Sequence, residues 1–304
     1  MIGIAAIIAA SAFLGFWLEN RHGKRAEGWG ERLMTGILWI AIPVIAFFNV
    51  ARLEIDAEVG AGIAYGYAAI GVTMALAWVI GARLLHLPRP AVGALMLAAG
   101  LGNTGWLGLP FASVLFGRDG VADAIVYDIF VTGMAFVSIG FAVGAAFGTR
   151  GQSKRERAAA FVTRNPPLWA TLAALVAPDA LAPDALVDAS QLLVFAILPV
   201  GFVAVGIVLS AEADDDRLSF PPPLTKPVGV ALVLKLGVAP AVAAGLSALV
   251  LGVPDPYIVQ AGMACATASL LLANEYGLDR PLAAAAIAWS TALVVAAGLV
   301  AALL

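Results

Sequence analysis

The chain has 304 residues, 62 % of them hydrophobic and 12 % charged, with a formal net charge of −3, and its mean hydropathy is +0.97. Soluble domains hold roughly 45–50 % apolar and about 25 % charged residues, so the composition excludes an ordinary soluble protein and describes a polytopic protein of the lipid bilayer. A lone cysteine, Cys265, excludes a disulfide framework or a cysteine-based metal site, and the two histidines, His22 and His86, fall in connections. No paired nucleophile and base and no phosphate-binding loop occur, so neither an enzyme nor a cofactor is expected, and nothing supports nucleic-acid binding.

A spanning helix takes about 20 residues, and the apolar runs divide the chain into ten spans. They cover residues 1–18, 33–51, 59–82, 91–116, 121–147, 167–177, 189–209, 228–251, 257–273 and 281–304. The first run has no basic residue before it, and Arg21, Lys24 and Arg25 follow it. That is the reverse of a secretory signal, so it reads as a true first span. Alternate connections, starting with the first, hold fourteen of the seventeen Lys and Arg residues, including Arg32, Arg83, Arg89, Arg155, Lys226 and Arg280. Arg52 and Arg118 stand in the other connections, and Lys235 lies inside a span. By the positive-inside rule the basic set is cytoplasmic, which places both termini outside the cell membrane. The polar stretch of Glu212, Asp214, Asp215 and Asp216 with Pro221, Pro222 and Pro223 reads as a solvated connection on the cytoplasmic side.

The fourth run is interrupted by Gly102-Asn103-Thr104-Gly105-Trp106-Leu107-Gly108-Leu109-Pro110. Three glycines weaken a helix and Pro110 removes an amide donor, so the backbone is expected to open near the bilayer midplane. Opened backbone is tolerated there only beside protein or water, and a break bearing a polar Asn-Thr pair is the pattern of a transporter site.

An internal repeat supports this. Trp39-Ile40-Ala41-Ile42-Pro43-Val44 matches Phe195-Ala196-Ile197-Leu198-Pro199-Val200 at a displacement of 156 residues. Five spans per copy invert the second copy in the membrane. The expected organisation is a first repeat over 1–148, a basic cytoplasmic linker over 149–166 and an inverted second repeat over 167–304, with Pro43 and Pro199 bending their helices. The counterpart of the broken fourth span is the ninth, Gln260-Ala261-Gly262-Met263-Ala264-Cys265-Ala266-Thr267-Ala268-Ser269.

Together these residues resemble the auxin efflux carrier family, which includes plant auxin exporters and bacterial relatives associated with malonate or other organic acids. The resemblance covers nearly the whole chain. It is most specific at residues 102–110 and is supported by Ile42-Pro43 to Phe48-Asn49, Tyr127-Asp128, Leu198-Pro199 to Gly206, Lys235-Leu236 with Pro240, and Tyr276-Gly277. It implies an all-α integral membrane fold of ten helices in an inverted 5+5 repeat. The fourth and ninth helices are broken and cross at the substrate site, a transport domain moves like an elevator against a scaffold, and a homodimer is possible. The family usually shows Met-Pro and then an Asn four residues after that Pro in the ninth helix, where this chain has Met263-Ala264 and Ala268. The expectation is therefore a ninth helix less open than the fourth, with Cys265, Thr267 and Ser269 as its remaining polar groups. The acid and lysine that plant auxin carriers show on the third helix are missing from residues 59–82, which argues against auxin itself.

Among single residues, Asn103 leads, because an uncharged amide donates to a carboxylate without the desolvation cost of a buried charge. Thr104, Gly105, Gly108 and Pro110 complete the break, and Asn49 is a weaker candidate near the outer end of the second span. Asp128 and Lys235 are ionisable residues within spans, which by default propose a function in coupling or proton transfer. Asp128 stands about 10 Å into its span at 1.5 Å per residue, where interfacial solvation is the alternative. The long stem of Lys235 favours snorkelling to the cytoplasmic surface over pairing with an anionic substrate. The resulting expectation is a secondary carrier of small organic anions, driven by membrane potential or a proton gradient. A sodium-coupled symporter and a non-transporting sensor are the rivals.

Overall fold

The structure is a computed structural model that describes residues 2–51, 56–149, 166–214 and 222–301. Most of the expected basic linker, with Arg155 and Arg157, lies outside the described residues, as do Arg52, Asp215, Asp216 and Pro221. The described residues are almost wholly helical, and their only β pairing is one isolated bridge.

In chain order the helices are α1 (Ile2–His22), α2 (Lys24–Gly36), α3 (Ile42–Val50), α4 (Ala57–Val79), α5 (Arg89–Gly100), α6 (Leu109–Tyr127) and α7 (Phe141–Phe147). After the linker come α8 (Pro166–Leu175), α9 (Asp184–Asp214), α10 (Lys226–Leu232), α11 (Ala239–Leu249), α12 (Asp255–Ala261), α13 (Ala268–Tyr276) and α14 (Arg280–Ala301). Among the described residues four continuous helical stretches are long and apolar enough to cross a membrane: Ala57–Leu84, Gly120–Phe147, Lys226–Leu249 and Arg280–Gly298. Large apolar side chains such as Phe13, Trp39, Leu84 and Val233 stand exposed, as a lipid solvent permits.

Proline acts here by widening the turn before it. Pro43, Pro110 and Pro240 each stand in the first turn of a helix that follows a π-helical turn, over Ile37–Ala41, Thr104–Gly108 and Val233–Val238. A proline ring crowds the carbonyl four residues back, and a wider turn relieves the crowding without leaving the helix. Pro199, expected to match Pro43, instead lies inside one uninterrupted helix, α9. α6 turns sharply at Gly117, whose φ of 71° is left-handed.

The helices fall into two packed groups. α1, α2, α3, α8 and α9 pack on one another, and α4–α7 with α10–α14 surround the main core. In the first group α1 lies directly on α9: a Cβ at Gly15 would meet the carbonyl oxygen of Val203 at 2.1 Å, and one at Gly206 would meet that of Ala12 at 2.1 Å. Such backbone approach is the usual packing device of membrane helices, where apolar burial alone gives no preference for protein over lipid. The seam between the groups is apolar, with Ile45 of α3 and Leu193 and Ile197 of α9 against Leu109, Ala112, Val121 and Ile125 of α6.

Candidate functional site

The helical path is broken twice inside the second group, between α5 and the π turn at Thr104, and between α12 and α13. The two opened segments lie against each other. Gly102 and Cys265 form the isolated antiparallel bridge, in which Asn103 N donates to Ala264 O at 2.7 Å and Ala266 N to Leu101 O at 3.0 Å. Gly102 and Cys265 are therefore the pair between the two bonds, the closest spacing of an antiparallel ladder.

The expectation of a less open ninth helix is corrected: without a proline, the chain leaves helical geometry between Ala261 and Ala268. The opening is stable because the freed backbone groups find partners inside the protein, as they must in hydrocarbon. Besides the two bridge bonds, Asn103 O accepts from Gly108 N at 3.0 Å. Leu97 O accepts from Ser269 Oγ at 3.2 Å, and Cys265 N donates to Ser290 Oγ at 2.9 Å. Gln260 Nε2 donates both to Thr104 O at 3.2 Å and to Ala124 O at 3.1 Å. A Cβ at Gly108 would stand 1.8 Å from Gln260 Oε1, so Gly108 is what lets this carboxamide in.

Lys235 does not snorkel. It is 3 % exposed, and its Nζ donates to Ala261 O at 3.1 Å, at the C-terminal end of α12 where helix carbonyls are unpaired. The same ammonium would be 3.0 Å from a Cβ at Gly102. Asp128 lies beside the break too: Thr104 Oγ1 donates to its Oδ1, and a Cβ at Gly105 would be 3.1 Å from its Oδ2. Thr104, Asp128 and Lys235 all occupy π-helical turns, Asp128 the one over Asp128–Gly133. Such turns re-aim side chains and recur at functional sites.

Asn103 is 3 % exposed, and among the described residues neither its Nδ2 nor its Oδ1 has a partner. An unsatisfied buried polar group costs about 1–3 kcal/mol, so a carboxamide left open in the interior asks for an occupant. The structure thus gathers Asn103, Thr104, Gly105, Gly108, Cys265, Ser269, Asp128 and Lys235 around one crossing, with Thr267 half-buried at the start of α13. Pro110 stands one turn further along in α6. Asn49 is set apart, its backbone in α3 of the other group. Gln260 and Ser290 were missed as site residues. Their signal was a carboxamide at the head of the ninth span and a hydroxyl, Ser290 beside Thr291, inside an alanine-rich run.

No protein-family model matches the chain. It is 28 % identical over 289 residues to a protein of Methanothermobacter thermautotrophicus named an uncharacterized transporter, covering 89 % of this chain and 87 % of that one. It is 30 % identical over 228 residues to the uncharacterized transporter MJ1031 of Methanocaldococcus jannaschii, covering 70 % and 68 %. The chain belongs to this transporter family. As a transporter it is multi-pass and membrane-embedded, and its two breaks meet in a bridge with an unpaired carboxamide beside one lysine and one aspartate.

Proposed function

We propose that the protein is a secondary carrier of small organic anions bearing a carboxylate, with its substrate bound at the crossing and moved by alternating access. The observation that carries the reading is Asn103, whose carboxamide is buried with both polar atoms open beside paired, unwound backbone. A carboxylate meets there an uncharged donor and the Lys235 ammonium, one of whose three donors is taken by Ala261 O. The unwound start of the helical path at Thr104 adds backbone amides in the manner of broken transporter helices.

In this reading the ten spans form two inverted halves, 1–148 and 167–304, with both termini extracytoplasmic in the cell membrane. The main-core group is the moving body and α1–α3 with α8 and α9 the scaffold. The apolar seam between α6 and α9 supports sliding, since among the described residues no polar side chain lines it. Asp128 is the coupling residue, loaded with a proton in one orientation and released in the other. The auxin efflux carrier resemblance supports the same scheme.

The test is uptake of radiolabelled carboxylates into proteoliposomes, with and without an imposed potential or pH gradient. Saturable uptake is expected in the wild type. Asn103→Ala is expected to lower it by about 10- to 100-fold, the equivalent of a lost hydrogen bond to a charged group. Ligand binding without flux under any gradient points to a sensor instead.

A further inference from the structure

Lys235 and Asp128 bring opposite charges to the two ends of one short backbone step. The ammonium stands against Gly102 and the carboxylate against Gly105, 3.0 Å and 3.1 Å from where a Cβ would be. Only Asn103 and Thr104 lie between these glycines, and three residues of chain reach at most about 10 Å. Among the described residues the partners of the two charges are neutral, the Ala261 carbonyl and the Thr104 hydroxyl.

The chemistry of the occupant follows from the charges. In the orientation in which Asp128 has given up its proton, a simple carboxylate answers Lys235 and leaves the buried Asp128 carboxylate without a counter-charge, which is unfavourable. A dicarboxylate is worse, because its second group meets Asp128 as a like charge. A molecule carrying a carboxylate and an ammonium a few ångströms apart answers both. Asn103 fits the same molecule, since its Nδ2 donates to a carboxylate and its Oδ1 accepts from an ammonium, and both atoms are open. We infer that the crossing takes a zwitterionic amino acid, with its carboxylate toward Lys235, its ammonium toward Asp128 and Asn103 touching both. This rests on the carrier reading and changes its substrate from a simple carboxylate anion to a carboxylate that also bears an ammonium.

The experiment compares amino acids with their amine-free counterparts, phenylalanine with 3-phenylpropionate and glutamate with glutarate, in proteoliposomes of the full chain. Uptake of the amino acid is expected to exceed that of its counterpart by at least about tenfold, since a site built around a donor rejects the analogue that lacks it. In equilibrium binding to the detergent-solubilised protein, where coupling plays no part, Asp128→Asn is expected to bring the ratio of affinities toward one by weakening the amino acid alone, whereas Lys235→Met lowers both. Thermal unfolding of the wild type in detergent gives a readout independent of the variants: the amino acid raises Tm and the amine-free acid does not. Equal or better uptake of the amine-free acids, with or without a proton gradient, overturns the inference and leaves the carrier standing. Neither uptake nor stabilisation by either class overturns both.

Discussion

The break between α5 and α6 has three glycines and a proline within nine residues, whereas the break between α12 and α13 has one glycine and no proline from Tyr257 to Tyr276. Both nevertheless leave helical geometry for a few residues, and each supplies one donor and one acceptor to the bridge at Gly102 and Cys265. The difference separates two causes of an opened helix. Glycine and proline make the first break cheap locally. The second is held open by what it bonds to: Ser290 takes the Cys265 amide, Lys235 takes the Ala261 carbonyl, and the bridge takes Ala264 O and Ala266 N.

If partners rather than breakers hold the crossing together, the largest effect should come from the side chain that joins the two halves. Gln260 on α12 bonds two carbonyls of the first half, that of Thr104 in the first break and that of Ala124 beyond the turn at Gly117. Gln260→Leu keeps the bulk and leaves both carbonyls without this donor, at an expected cost of about 1–3 kcal/mol. The measurement is Tm in detergent, together with uptake, which should fall because Thr104 also holds Asp128. An unchanged Tm would mean that the two arms are joined elsewhere.

Gly108→Ala acts on the same contact from the other side, since its Cβ would stand 1.8 Å from Gln260 Oε1. The carboxamide must then leave its two carbonyls. The Gly108→Ala and Gln260→Leu costs should therefore not add, and the double variant should be about as stable as the weaker single one. Additive losses would place the strain of Gly108→Ala in the π turn over Thr104–Gly108 rather than at Gln260.

Ser290→Ala should be smaller, removing the acceptor of one buried amide for about 1 kcal/mol. Cys265 reports it directly, being the single cysteine of the chain and fully buried in the bridge. If labelling by a small thiol reagent proceeds through opening of the bridge, its rate should rise about fivefold. A rate equal to wild type would show that Ser290 does not hold the second break.

Much of this was legible in the residues. Asn103, Thr104 and the flanking glycines announced the first break because local propensity and polarity agree there, and they stand at the crossing. What the sequence hid were distances between spans. Lys235 read as a snorkelling side chain because its length allows it, but a π turn and the α12 carbonyl at Ala261 draw it inward. Gln260 looked like a minor polar residue of the second break because its partners, Thr104 O and Ala124 O, are more than a hundred positions away. The second break was underrated for the same reason: its opening depends on Ser290, Lys235 and Leu101, none of which a local propensity can weigh.

The smallest effect discriminates most sharply between the two causes. Ala264→Pro places a helix breaker where the resemblance to auxin efflux carriers leads one to expect it, and the Ala264 amide donates to neither of the bonds that form the bridge, which uses only its carbonyl. If the second break were strained for want of a proline, the substitution would raise Tm clearly and increase uptake. If the opening is already set by its partners, the ring removes nothing and adds only some stiffness to the unfolded chain. Tm should then move by less than about 1 kcal/mol in stability, with uptake unchanged. Lost uptake at an unchanged Tm would mean that the segment between Ala261 and Ala268 must return to helix at some step of transport. A proline at 264 would block that step, and the second break would then be a moving part rather than a fixed one.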